Sequence, residues 1–296
     1  MMSYTAATAD PKNPPMMDAG NLHLREMHPQ SQQGCCADAI ATLEGISREA
    51  VDQLAVVSQE RADRALKEGR FDKSVVPVYN RDGSLALDKD EFPRPGTSME
   101  SLAGLKTVFN MFWDVPVDDK GMTYGGLIEK KYPQLKGKIQ HVHHAGNSSG
   151  VVDGSGAILV TSEDYMKKHG LKPRARVVAT ANMGDCPTLM LNAPVPAAQK
   201  VLAKAGLTTG DIDVYEINEA FSVVAEKFIR DLDLDRSKVN INGGAMALGH
   251  PIGATGSILI GTALDELERS GGRYGLVTMC AAGGMAPAII IERIDA

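Results

Sequence analysis

The glycine-rich stretch Lys238–Ala254, KVNINGGAMALGHPIGA, constrains the fold of this chain more than any other feature. Residues 238–241 alternate as the end of a strand does, and the glycines that follow allow a sharp turn and close approach of the backbone to a ligand. His250 ends this loop, and Pro251 biases it away from helical dihedrals before a helix that begins near Thr255. Imidazole changes charge near neutral pH and suits proton transfer, although a lone histidine here could simply cap the helix.

Composition indicates a soluble globular protein. The chain has 296 residues, of which 43% are hydrophobic and 23% charged, so it can bury a core divided among one to two domains. A formal net charge of -6 gives no support to nucleic-acid binding, and no apolar run reaches membrane-spanning length. Because the first residues lack a positive n-region and an apolar h-region, we expect no signal peptide and a cytoplasmic location. The four cysteines show neither metal spacing nor a disulfide framework.

The first 170 residues are less regular than the rest. Ser47 is predicted to cap a long amphipathic helix that ends at Gly69, and a strand is predicted from Val75. The segment from His143 is predicted to pass from a small-residue turn into a buried strand, followed by a lysine-rich helix that ends at Gly170.

Beyond Pro173 the pattern of strands and helices predicts a compact α/β unit. Its predicted elements are the strands 175–180, 213–217, 239–241, 275–279 and 288–293 and the helices 194–206, 220–231 and 255–270.

Three strand ends of this unit are each followed by a polar or reactive side chain. They are Asn218 with Glu219, His250, and Cys280. The carboxyl ends of strands are where α/β proteins usually bind ligands, so we expect these side chains to converge at one pocket. Taken singly, Asn218 and Glu219 are equally consistent with a helix cap, and Cys280 with a buried core thiol.

The segments NEAF, GGAMALGHPIGATG and CAAGGM resemble the signature motifs of the thiolases, which exchange acyl groups between coenzyme A thioesters by Claisen chemistry. The segments QGCCADAIATLEGISREAVDQLAVVSQERADRAL, FDKSVVPV and HHAGNSSGVVDGSGA resemble the middle section of that family in order and spacing. The resemblance implies a layered α/β/α fold. Residues 1–150 would form an irregular loop domain, residues 151–172 a leftover strand and helix of the N-terminal domain, and residues 173–296 the complete C-terminal domain.

The resemblance also assigns catalytic roles. His250 matches the base that activates the nucleophilic cysteine and helps to bind the thioester oxygen. Cys280 matches the acid/base that removes or returns the alpha proton, and Asn218 matches the residue that holds an ordered water in an oxyanion hole. These roles fit a thioester enolate, whose charged oxygen is stabilised by fixed donors in a dry site.

For coenzyme A, the resemblance points to two groups of residues. Arg94, Ser101 and Ser149 match positions that contact its nucleotide and pantetheine parts, and Ala220 and Phe221 match positions that shape the pantetheine tunnel. Each of the five is also compatible with an ordinary surface or turn position. Acyl-CoA and coenzyme A are then substrates, and the resemblance implies no resident cofactor or metal.

The family's nucleophilic cysteine lies in a first α/β half, and this chain begins after the matching point. Cys35 and Cys36 stand at the start of a predicted helix, whose dipole lowers a thiol pKa, but they match loop-domain positions instead. Without that half, we expect apolar surface to be exposed and the family's usual dimer contacts to be lost.

Two classes of function follow from this departure. One is an acetyl-CoA C-acyltransferase or acetyltransferase whose activity needs the absent part, supplied by another chain or by an upstream start. The other is a noncatalytic binder of coenzyme A thioesters or an inert remnant.

Overall fold

The computed structural model describes Asp18 and residues 21–294. The helices of this part are α1 Leu22–Met27, α2 Gln33–Glu44, α3 Arg48–Lys67, α4 Met99–Ala103, α5 Asn110–Trp113, α6 Tyr124–Lys131, α7 Glu163–His169, α8 Pro194–Ala205, α9 Ser222–Asp231, α10 Ala245–Leu248 and α11 Thr255–Ser270. The strands are β1 Val78–Tyr79, β2 Leu85–Leu87, β3 Ala175–Gly184, β4 Val214–Ile217, β5 Tyr274–Thr278 and β6 Met285–Arg293.

The central sheet has the strand order β3-β6-β5-β4. The β4 and β5 strands are parallel, and the other two pairs are antiparallel. Ile217 of β4 lies opposite Thr278 of β5, so both of these strands deliver their carboxyl ends to the same edge of the sheet. Loops that leave this edge can therefore bring their side chains together.

Helices cover both faces of the sheet. The α8 helix packs on β3 and β6, whereas α11 packs on β4 and β5. The alternation of strand side chains explains both contacts, because Ile217 enters the core that contains α8 while Val214 enters the core beneath α11. The predicted layered α/β/α fold is confirmed.

The helices of the first segment share the core of the α/β unit. Cys36 and Ile40 of α2 belong to the same buried cluster as Val201 of α8. The α3 helix packs against α9 and α10, and the Ser47 hydroxyl caps its first turn by accepting a hydrogen bond from the Ala50 N–H, as predicted. The domain boundaries at residues 150 and 172 stay predictions.

The prediction of a buried strand after His143 is wrong. Residues 151–162 have no regular structure and are largely exposed, with Val151 99% and Leu159 82% accessible. Instead of pairing with a sheet, the segment runs beside the start of α11, where Gly156 lies against Ser257 and Ile258. An apolar run forms a buried strand only when a neighbouring strand pairs with it, and no described strand does so.

Two other predicted strands are shorter than expected. The run from Val75 forms only the two-residue β1, which pairs with β2 in an exposed hairpin. The predicted strand 239–241 is reduced to a single bridge between Val239 and Tyr215, because Asn240 turns the chain with a left-handed φ of 47°. No helix in the described part of the chain is long and apolar enough to cross a membrane.

Candidate active site

Asn218 and Cys280 leave the same edge of the central sheet. Asn218 directly follows β4, and its N–H donates a hydrogen bond of 3.1 Å to the Thr278 carbonyl at the end of β5. Cys280 stands two residues beyond Thr278, where the chain turns back into β6. The parallel pairing of β4 and β5 thus places the two residues on adjacent loops.

The Asn218 side chain is fully buried, and neither its amide nitrogen nor its carbonyl oxygen has a hydrogen-bond partner in the described part of the chain. Leaving a buried amide unpaired costs on the order of 1–3 kcal/mol. Such a group marks a place where a ligand or water oxygen would be bound.

Burial controls the protonation of Cys280. Loss of solvation raises the pKa of its thiol to about 12. The thiol is therefore protonated at neutral pH, ready to donate a proton, and acts as a base only when a bound group lowers its pKa.

His250 ends the loop between α10 and α11. Its Nδ1 shares a hydrogen bond of 2.7 Å with the Thr255 hydroxyl at the start of α11, which fixes the orientation of the half-buried ring. Burial lowers the pKa of His250 below its ordinary value of 6.5, so the imidazole is neutral at pH 7. A neutral imidazole can accept a proton, as a general base must.

Backbone hydrogen bonds join the segment that ends at Gly150 to the loops that carry His250 and Asn218. The His250 N–H donates to the Gly150 carbonyl at 2.9 Å, and the Ser149 N–H donates to the Ala220 carbonyl at 3.0 Å. The segment from His143 to Gly150 therefore bridges the His250 loop and the loop that carries Asn218. That the three side chains share one pocket stays a prediction.

A cavity of about 280 Å³ opens beside these loops, between the sheet and the start of α11. Thr278 and Met279, which precede Cys280, line one side of it, and Gly256, which follows Thr255, lines another. The cavity borders the segments that carry Cys280 and His250.

The five residues matched to coenzyme A contacts lie in different surroundings. Ser149 and Ala220 are joined by the backbone hydrogen bond already described. The exposed Arg94 guanidinium stacks on Phe92, whereas the Arg94 backbone N–H donates to the Gln59 side-chain oxygen. Ser101 forms a capping box with Ser98, so its hydroxyl serves the start of α4.

Phe221 is buried within an aromatic group. Its ring meets those of Phe109 and His143 edge to face, with centroids 5.4 and 5.7 Å away. His143 in turn shares a hydrogen bond of 2.7 Å with Asp38, which also bonds His141. Burial alone would raise the pKa of Asp38, but the two histidines outweigh it and lower that pKa. This ionised anchor in α2 fixes the position of the ring beside Phe221.

The cysteines at the start of α2 are unsuited to act as nucleophiles. Cys35 and Cys36 are both fully buried, and burial raises the pKa of Cys35 to about 12 and that of Cys36 well above its ordinary value. The expectation that the helix dipole lowers these pKa values is therefore wrong, because desolvation is the larger effect.

Sequence reasoning missed the polar network behind these loops. Glu219 accepts hydrogen bonds from Ser58 of α3 and from Asn240. The only sequence signal was the carboxyl group in the NEAF segment, which was also consistent with a helix cap. No group of three or more His, Cys, Asp or Glu among the described residues could hold a metal ion.

Comparisons with known proteins identify the family. The family model for the thiolase C-terminal domain matches residues 171–293, and that for the thiolase N-terminal domain matches residues 8–112. The beta-ketoadipyl-CoA thiolase of Acinetobacter baylyi is 39% identical over 279 residues, which are 93% of this chain and 63% of that protein. The cytosolic acetyl-CoA acetyltransferase of Rattus norvegicus is 39% identical over 88% of this chain and 59% of its own length.

Solved structures give the same result. Human mitochondrial 3-ketoacyl-CoA thiolase in complex with CoA superimposes with a TM-score of 0.75 at 37% identity, over 88% of this chain and 58% of that one. This chain thus spans about 60% of the length of the curated relatives that it matches. Two family models, a shared fold and identities near 40% establish that the chain belongs to the thiolase family.

Proposed function

We propose that this chain binds acyl-CoA thioesters and is the greater part of an acetyl-CoA C-acyltransferase or acetyltransferase of fatty acid metabolism, located in the cytoplasm. Such an enzyme cleaves a 3-oxoacyl-CoA with free coenzyme A, or condenses two acyl-CoA molecules. The buried, unpartnered amide of Asn218 carries the proposal, since it stands beside the Cys280 loop and offers a donor where a thioester oxygen would develop charge.

The protonation states of Cys280 and His250 support complementary roles. In thiolysis, the bond between the alpha and beta carbons breaks and leaves an acetyl-CoA enolate, which needs one proton. The Cys280 thiol, protonated because burial raises its pKa to about 12, would supply that proton. The neutral His250 ring would take a proton from an attacking thiol, and Asn218 would stabilise the charged oxygen.

The step that begins thiolysis requires a cysteine that becomes acylated, and none of the four cysteines of this chain is suited to it. Cys35 and Cys36 are sealed in the core, and Cys280 is assigned to proton transfer. The thiol of the half-buried Cys186 accepts a hydrogen bond of 3.1 Å from the Tyr132 hydroxyl, and Cys186 belongs to the segment after β3, not to the segments that carry Asn218, His250 or Cys280. We therefore propose that this chain alone binds thioesters without completing the reaction.

A noncatalytic thioester binder is the second candidate, and the same burial of the cysteines favours it. The two candidates differ in whether a chain that supplies the remaining part of a thiolase brings a nucleophile to His250. A homo-oligomer of the kind usual in the family would equally depend on that remaining part.

Calorimetry with coenzyme A tests the binding that both candidates share. We expect weak but saturable binding, and Arg94→Ala should lower the affinity about tenfold because a charged hydrogen bond to phosphate is lost. Arg176→Ala is the matched control, since Arg176 is an exposed arginine of β3 that pairs with Glu292. No detectable binding by the folded chain would remove the proposed function and the coenzyme A assignments.

A further inference from the structure

The carboxyl group of Glu219 joins three segments of the chain behind the candidate active site. It is buried, with 1% of its surface exposed, and directly follows Asn218. Its Oε2 accepts hydrogen bonds from the Ser58 hydroxyl at 2.7 Å and from the Met246 N–H at 3.2 Å. Its Oε1 accepts one from the Asn240 side chain at 2.7 Å. Helix α3, the short helix α10 that precedes the His250 loop, and the turn after Val239 therefore all meet at one carboxyl group.

Second contacts fix the direction of the hydrogen bonds from Asn240 and Ser58, and the Met246 N–H can only donate. The Asn240 amide cannot rotate, because its Oδ1 accepts from the Ile217 N–H and its Nδ2 donates to the Ile217 carbonyl, each at 2.9 Å. The Ser58 oxygen accepts from the Gly244 N–H at 3.0 Å, so its hydrogen is directed to Glu219. All three partners of Glu219 are donors, and both of its oxygens must accept.

The glycine loop packs closely against Glu219 and Ser58. A Cβ on Gly244 would overlap the Glu219 carboxyl group, and one on Gly243 would lie 2.7 Å from the Ser58 carbonyl oxygen. Burial raises the pKa of Glu219, while the bonds from Asn240 and Ser58 and the positive charge of Arg61 act in the opposite direction. The network therefore sets both where the glycine loop lies and how the Glu219 carboxyl is oriented.

We propose that Glu219 is a positioning residue, whose carboxylate fixes the backbone of Asn218 relative to the loop that carries His250. Asn218 is its chain neighbour, and Met246 lies four residues before His250. Glu219 adjoins Asn218 in the chain and contacts Met246 of α10, which leads to the His250 loop, and it acts on a bound thioester only through these segments. The catalytic importance of this position rests on the proposed function, whereas its effect on the two loops does not.

The test compares Glu219→Gln with Glu226→Gln. Glutamine has nearly the same shape, but its NH2 group must face a donor, either Asn240 or the pair Ser58 and Met246. Glu226 is the matched control, because it is 2% exposed and accepts hydrogen bonds from Arg230 and Arg236 without touching either loop. Circular dichroism first establishes that each variant is folded.

The primary measurement is the NMR titration of the His250 ring in histidine-labelled protein, assigned with a His250→Asn variant. Burial holds the pKa of His250 below 6.5 in the parent chain. Release of the loop should expose the ring and move its midpoint up toward 6.5 in Glu219→Gln, with no change in Glu226→Gln. The second measurement is the affinity for acetyl-CoA by calorimetry, which should fall about tenfold in Glu219→Gln alone.

An unchanged His250 midpoint in folded Glu219→Gln, or an equal change in Glu226→Gln, would overturn the proposal. If Glu219→Gln does not fold, Ser58→Ala removes one of the three donors and should move the midpoint in the same direction by a smaller amount; no movement there also overturns it. If the parent chain binds no acetyl-CoA, the proposed function fails for this chain, and the titration still decides the role of Glu219.

Discussion

At the scale of single residues, desolvation shifts the pKa values of Cys280 and His250 more than neighbouring charges do. Burial raises the pKa of Cys280 and lowers that of His250, so both groups are uncharged at neutral pH. In the predicted pocket, these two neutral groups and the unpaired Asn218 amide would gain charge only when a substrate reacts. A dry site of this kind makes the stabilisation of a developing oxyanion more effective.

Alkylation of Cys280 should follow this protonation state. Because the thiolate is the nucleophile, the rate with iodoacetamide should rise about tenfold per pH unit between pH 8 and pH 10 without a plateau. Peptide mass spectrometry resolves Cys280 from the half-buried Cys186, which serves as the internal comparison. A rate at Cys280 that levels off below pH 9 would show that its thiol is activated and would contradict the assigned burial effect.

The secondary-structure elements show where sequence reasoning succeeded and where it could not. The α3 helix was predictable because Ser47 caps its start and its apolar side chains recur at helical spacing. Residues 151–160 contain the apolar run AILV, which suggested a buried strand. Whether such a run forms a strand depends on a pairing partner that local sequence does not reveal.

The candidate site likewise has residues that the sequence predicts and residues that it does not. Asn218, His250 and Cys280 stand out because each follows a strand and precedes small residues, and the resemblance supplied their roles. The network of Glu219, Ser58 and Asn240 was not predictable, since Ser58 is 161 residues from Glu219 and looks like an ordinary position of an amphipathic helix. The left-handed turn at Asn240 that ends the expected strand belongs to this network as well.

Gly244→Ala tests the packing between the loop and the Glu219 carboxyl group. The added Cβ has no room beside that carboxyl, so the free energy of unfolding should fall by about 2–3 kcal/mol. Gly253→Ala is the control, because nothing lies within 4 Å of its added Cβ, and it should change stability by less than about 0.5 kcal/mol. Urea unfolding followed by circular dichroism measures both. Equal stability of the two variants would show that the loop is not held against Glu219.

At the scale of the whole molecule, the apolar surface expected from the sequence is present. Val151, Leu159 and Val160 are 99%, 82% and 72% exposed, and Ile252 and Ile258 beside the start of α11 are also exposed. The relatives' remaining 40% or so of sequence is the material that our proposed function requires to complete the site.

The most direct measurement combines acetoacetyl-CoA thiolysis by the purified chain with mass spectrometry of its cysteines. Loss of the substrate's enolate absorbance in the presence of free coenzyme A reports thiolysis, and an added acetyl mass reports the acyl-enzyme. The account predicts no rate above background and no acetylated cysteine for this chain alone, with some activity when an N-terminal thiolase fragment is added. A robust rate from the chain alone, with an acetyl group on Cys35 or Cys36, would contradict it.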